Sequence, residues 1–162
     1  MIVVADACPI IFLAKLDRLP LIQDVFPGSI VMPESVKHEL VRNALPFHEG
    51  QRIEAFLKRC RVETVRTRQY AASALSRADQ HVLALAAEHP RSLILTDDSL
   101  VRRIARAEGR PVAGTLGVII RAADAGILSR HEASRDVEAL VGEHKLRISV
   151  DLYQEAIRRL QS

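Results

Sequence analysis

Residues 76–105 read S-R-A-D-Q-H-V-L-A-L-A-A-E-H-P-R-S-L-I-L-T-D-D-S-L-V-R-R-I-A, and the reading of this stretch decides the fold. Counted from Asp79, the apolar residues Val82, Leu83 and Ala86 recur at i+3, i+4 and i+7, the spacing of one helix face. Asp79 is therefore expected on the apolar side, where an unpaired charge costs several kcal/mol or stays protonated. Pro90 ends the helix. Ser92 to Thr96 then reads as a short buried strand, delivering Asp97 and Asp98 at its carboxyl end before a new helix begins. In an open α/β sheet, ligands bind along that rim.

Working outward, the amino terminus repeats the same layout. Ile2 to Ala5 is a β-branched run suited to burial on both faces, followed by Asp6 and by Pro9, which suits the first turn of a helix. Ser29 to Met32 reads as a second strand, and Pro33 opens a helix with Val36 and Leu40 on its buried stripe and Glu39 on the border of that stripe. Asn43 to Gly50 reads as a loop, Arg52 to Arg59 as a helix and Arg61 to Val65 as a third strand. An arginine-bearing connection then leads to Ser76. Beyond Asp98 the pattern puts Leu100, Val101, Ile104 and Ala105 inward and Arg102, Arg103 and Arg106 outward. Pro111 to Ala113 is a last short strand, and the helix after Gly114 is closed by Gly126. Residues 129 to 161 hold two amphipathic helices, the second with Leu152, Ala156, Ile157 and Leu160 on its apolar face. Strands alternating with helices predict a three-layer α/β/α fold around a mainly parallel sheet.

Composition agrees with that class. The chain has 162 residues, 48% of them hydrophobic but only 4% aromatic, so its core must be aliphatic and alanine-rich. Twenty-three basic residues, most of them arginine, oppose 20 acids for a net charge of +3, a mild pointer to a phosphate-bearing partner. Two cysteines, Cys8 and Cys60, give no disulfide framework, and a reducing cytoplasm is the expected compartment. The opening M-I-V-V-A-D lacks the basic start of a signal peptide, and no apolar run approaches the ~20 residues of a membrane span.

Asp6, Asp79, Asp97 and Asp98 are expected to converge on one rim, with Glu39 arriving from a neighbouring helix. Carboxylates held together must share protons or bind a cation, and oxygen ligands without His or Cys favour Mg²⁺ or Mn²⁺ over zinc. One or two such ions, ~3.5–4 Å apart if paired, suit phosphodiester hydrolysis. Each acid also has a structural explanation. Ser76 and Asp79 have capping-box spacing, Asp6 could cap the helix at Pro9, and Asp97 or Asp98 could cap the helix that follows. Independent caps would not, however, all gather at one edge of one sheet. A phospho-acceptor receiver domain is disfavoured because the first strand brings only one acid and no Lys follows a late strand. A haloacid-dehalogenase phosphatase is disfavoured because Cys8 stands where D-x-D needs its second acid.

The order of these motifs resembles a PIN domain. The resemblance rests on V-V-A-D-A-C-P-I-I (residues 3–11), P-E-S-V-K-H-E-L (33–40), S-R-A-D-Q-H-V-L-A-L-A (76–86) and L-I-L-T-D-D-S-L-V-R-R-I-A (93–105). G-T-L-G-V-I-I-R-A-A-D-A-G-I-L (114–128) is similar to a branch of PIN-like bacterial and archaeal proteins related to VapC-type toxins. The resemblance implies a nuclease domain over residues 1–128 with a helical extension over 129–162. It implies a Mg²⁺- or Mn²⁺-dependent endoribonuclease, a toxin silenced by a cognate antitoxin, and a homodimer. Carried over, the catalytic acids are Asp6, Glu39, Asp79 and Asp98. Asp98 matches the family's T-x-D pattern and Asp97 shares the metal-binding role. Cys8 departs from the family, which places Ser or Thr two residues after the first acid. A thiol is a poorer donor to a metal-bound water or phosphate, and a small loss of activity follows. A catalytically weak PIN-fold module acting through RNA or antitoxin contacts is the alternative.

Overall fold

A computed structural model describes residues 1–42, 45–66 and 74–161. The apolar runs that needed burial on both faces lie side by side: β1 (Ile2–Ala5) pairs in parallel with β2 (Ser29–Pro33) on one side and β4 (Ser92–Leu95) on the other. β3 (Arg61–Glu63) adds beyond β2, and β5 (Val112–Ala113) beyond β4, giving a five-stranded parallel sheet in the order β3-β2-β1-β4-β5. Ile2 stands opposite Ser29 and Ser92, and Ala5 opposite Leu95. Val3, Val4 and Ile94 are wholly buried, as expected for strands covered on both faces. The fold is a three-layer α/β/α sandwich.

Each parallel step requires a crossover, and helices supply it. α1 (Ala7–Lys15) and α2 (Leu21–Val25) follow β1, while α3 (Glu34–Arg42) and α4 (Phe47–Leu57) follow β2. α5 (Arg77–Glu88) returns the chain across β2, β1 and β4 to the far side of β1. α6 (Ser99–Ala107), α7 (Thr115–Asp124), α8 (Arg130–Gly142) and α9 (Val150–Gln161) complete the order. α8 and α9 pack on α7 and on each other, with Leu140 and Leu160 in the same continuous core as the sheet. Among the described residues no helix is long and apolar enough to cross a membrane.

Three local expectations are corrected. The helix expected from Arg52 starts five residues earlier, at Phe47, inside the supposed loop; Asn43 and Ala44 of that loop lie outside the described residues. Gly50 disfavours a helix by about 1 kcal/mol. The burial of Ile53 and Phe56 and the 3.3 Å pair between Lys15 and Glu49 oppose that cost. The third strand stops at Glu63, where pairing with β2 ends at Pro33, so Val65 lies beyond it; residues 67–73 of the connection that follows lie outside the described residues. On α9, Ala156 and Leu160 are buried, but Leu152 is 47% exposed because it precedes the part of the helix that meets the core.

The topology decides where a site can form. The chain builds outward from β1 to β2 and β3, then crosses back to build β4 and β5. The crevice at the carboxyl ends of β1 and β4 is therefore the topological switch point. The residues immediately after these two strands are Asp6 and Thr96.

Candidate functional site

Asp6 ends β1 and begins α1. Its backbone N–H still donates to Leu95 O at 2.9 Å, extending the ladder, and its side chain turns to cap the helix, with Oδ1 accepting from Ala7 N at 2.7 Å. Oδ2 accepts from the hydroxyl of the wholly buried Thr96 at 2.8 Å. Only 5% of Asp6 is exposed. Burial pushes its carboxyl up to about 6, against the pull of the Thr96 and Ala7 hydrogen bonds and with smaller upward pushes from Asp79 and Glu39.

Thr96 is the hinge of the neighbouring strand end. Besides donating to Asp6, its Oγ1 accepts from Asp98 N at 3.1 Å, while its carbonyl accepts from Arg102 Nη1 at 3.1 Å. Arg102 was expected to point outward with Arg103 and Arg106. It instead folds back one turn toward the strand end and is only partly exposed, because the carbonyl of Thr96 and the carboxylate of Asp97 draw it in.

The two adjacent acids have separate roles. Asp98 N-caps α6, its Oδ1 accepting from Leu100 N at 2.9 Å and Val101 N at 2.8 Å. Asp97 reaches the other way and accepts from Thr115 N at 2.8 Å and Thr115 Oγ1 at 2.5 Å, so a carboxylate 18 residues upstream caps α7. Burial raises the Asp97 carboxyl, and the Thr115 bonds and Arg102 oppose the rise. This approach requires Gly114: a Cβ there would lie 2.5 Å from Asp97 Oδ1, 2.8 Å from Arg102 Nη1 and 3.2 Å from Thr96 O.

Asp79 and Glu39 arrive from the helices. Asp79 completes the expected capping box with Ser76, accepting from Ser76 N at 3.0 Å and donating its own N–H to Ser76 Oγ at 3.1 Å. It stands at the border of the apolar face rather than within it. Glu39 sits at the surface on α3, and partial desolvation with the nearby charge of Asp79 raises its carboxyl above the usual range.

Charge ties these groups together. The Cys8 residue is exposed, yet partial desolvation of its thiol by neighbouring atoms, and then in turn the charges of Asp6, Asp97, Glu39 and Asp79, push the thiol up to about 12. The charges of four of the five acids read from the sequence thus act on one sulfur; Asp98 is not among them. Among the described residues, Asp6, Glu39 and Asp79 have no ion-pair partner. The all-oxygen donor set and the mutual repulsion suit a hard divalent cation. The side chains do not, as they stand, form a closed ligand cage: no three of the described His, Cys, Asp and Glu residues group tightly enough to hold one ion.

Beside Glu39 opens a cleft of about 800 Å³ between α3, α5 and the end of β3. Its lining includes Arg42, Arg77, His38 and His81, with His81 Nδ1 2.9 Å from Ser35 Oγ. These residues were not singled out from sequence, because their separation by some forty positions conceals a shared wall.

A family model described as a PIN domain matches residues 2–162, the helices α8 and α9 included. Among curated proteins none matches the chain.

Proposed function

This chain belongs to the PIN-domain family, whose members are generally nucleases, and on that premise we propose that it is a Mg²⁺- or Mn²⁺-dependent endoribonuclease. The observation that carries the reading is the shared electrostatic environment of Asp6, Glu39, Asp79 and Asp97, whose charges all act on the Cys8 thiol beside the switch point, with Asp6, Glu39 and Asp79 lacking an ion-pair partner among the described residues. Asp6, Glu39, Asp79 and the Asp97-Asp98 pair would hold the metal. When bound, a divalent ion supplies charge stabilisation for the phosphodiester under attack and lowers the pKa of water. Thr96 and the α1 amide fix the orientation of Asp6, so the most buried acid does not have to be ordered when substrate arrives. Arg42 and Arg77, in the polar cleft beside Glu39, are suited to bind phosphates of the RNA strand.

The biological setting belongs to the same proposal: a toxin in the cytoplasm, restrained by a cognate antitoxin and acting as a homodimer. The resemblance of residues 114–128 to the VapC-related branch supports it.

A second reading is favoured by a specific observation. Asp79, Asp97 and Asp98 each satisfy a helix amino terminus, and among the described residues no three-ligand cage is closed. A non-catalytic module that keeps the fold and works through RNA or antitoxin contacts would need nothing more. Titration with Mn²⁺ in a calorimeter, together with cleavage of a labelled RNA by wild type, Asp6→Asn and Asp79→Asn, separates the two. The nuclease reading expects metal uptake and cleavage by wild type, with both lost in the variants. RNA binding without metal uptake or cleavage favours the module.

A further inference from the structure

A second groove, about 630 Å³ in volume, lies on the far side of Asp97 between α6, β5, α7 and the segment leading into α9. Arg102, Arg103, Arg106, Arg121 and Arg147 line it, and among the described residues Asp97 is the one acid that does. Arg102 is drawn toward Asp97, and among the described residues Arg103, Arg106, Arg121 and Arg147 have no ion-pair partner. Arg102 is engaged with Thr96 O, and Arg121 lies over the Phe26 ring, 5.1 Å from its centroid. Arg103, Arg106 and Arg147 stand exposed.

Between the arginines the walls are apolar. Leu116 and Ile120 stack one turn apart on α7, Ile148 comes from the extended segment, and Leu152, nearly half exposed at 47%, closes the end. Among the described residues no aromatic side chain or histidine lines the groove, so none of them offers a platform on which bases could stack. Beside it runs the edge strand of the sheet. Ile94 N donates to Pro111 O and Thr96 N to Ala113 O, so the carbonyls of Pro111 and Ala113 face β4 and the backbone polar groups of Val112 between them face the open edge. β5 is two residues long, so Val112 alone offers its backbone groups to an added strand, and the edge contributes one point of attachment rather than a ladder.

From the open edge, the apolar floor and the surplus of arginine, we propose that this groove binds an extended acidic segment of a partner polypeptide. Its apolar side chains would settle on Leu116, Ile120 and Leu152, and its carboxylates would pair with Arg103, Arg106 and Arg147. RNA is the poorer fit, because its phosphates and sugars would leave the apolar floor uncovered, whereas the polar cleft beside Glu39 suits them better. The proposal does not depend on phosphodiester cleavage.

The test uses the full chain and fluorescence anisotropy with a labelled twelve-residue peptide of alternating Glu and Leu, a matched peptide with Lys for Glu, and a short unlabelled oligoribonucleotide as competitor. The acidic peptide is expected to bind saturably and the Lys peptide not to bind. Arg103→Glu combined with Arg106→Glu, and separately Leu152→Glu, should each weaken binding at least about tenfold. These positions are exposed, and unchanged thermal melts would establish that the variants fold. Asp6→Asn should bind the peptide as wild type does, which separates failure here from failure of the nuclease reading. Absence of saturable binding, equal affinity for the variants, or displacement of the peptide by RNA through the same arginines overturns the proposal.

Discussion

The hydroxyl of Thr96 donates a 2.8 Å hydrogen bond to Asp6 Oδ2, joining the carboxyl ends of two neighbouring parallel strands across 90 positions of sequence. Thr96 is completely buried and also accepts from Asp98 N, so one side chain links the first acid to the turn that presents the last two. Thr96→Val keeps the volume but leaves Asp6 Oδ2 and the Asp98 amide without this partner. A loss of about 1–3 kcal/mol in urea unfolding is expected, together with a marked fall in RNA cleavage. Thr96→Ser, which keeps the hydroxyl, should recover most of the activity. Equal loss in both variants would show that the hydroxyl alone does not account for the role of Thr96.

The raised carboxyl of Asp6 gives the metal-free protein a pH dependence of defined sign. The folded state holds this proton up to about pH 6, whereas the unfolded chain releases it near 3.8. Asp6 therefore contributes stability that is fully present below the unfolded value and lost as pH rises through about 6. Asn keeps an oxygen for the Ala7 amide but carries no charge. In chelator, Asp6→Asn should be more stable than wild type above pH 6, by at most about 3 kcal/mol, and the difference should vanish near pH 4. Thermal melts across that range measure it, and a pH-independent difference would contradict the buried-carboxylate reading.

Gly114 is required by proximity rather than by backbone strain. Alanine there would drive a methyl group against Asp97 Oδ1 and Arg102 Nη1, loosening the cap of α7 and the Arg102 bond to Thr96 together. Gly114→Ala is expected to cost about 1–3 kcal/mol and to lower cleavage. Chemical denaturation that finds the variant as stable as wild type would show that the turn can yield.

Capping and metal binding by Asp98 can be separated by chemistry. Asn caps a helix as well as Asp does but is a weaker ligand, whereas Ala does neither. Asp98→Ala should lose about 0.5–2 kcal/mol, from the Leu100 and Val101 amides. Asp98→Asn should unfold like wild type but cleave RNA at least about tenfold more slowly with Mn²⁺. Full activity in the Asn variant would leave Asp98 as a cap alone and transfer the fourth acid to Asp97.

Much of this molecule is local chemistry. Ile2–Ala5 and Ser92–Leu95 are strands because β-branched and aliphatic runs bounded by an acid or a proline have few other ways to bury themselves. Ser76 and Asp79 form a capping box because their spacing in the chain alone puts each beside the other's amide. Sequence thus determined the strand-helix alternation and the gathering of acids at the carboxyl ends of the strands. Tertiary structure decided what each acid faces. Asp97 caps a helix 18 residues downstream, Arg102 turns inward to the Thr96 carbonyl instead of outward to solvent, and Leu152 stays at the surface although its helix pattern points it inward. The physical reason is range: periodicity reports which side of an element is apolar, but a polar side chain goes to the nearest unsatisfied group, and that group is brought near by strands paired across the sheet.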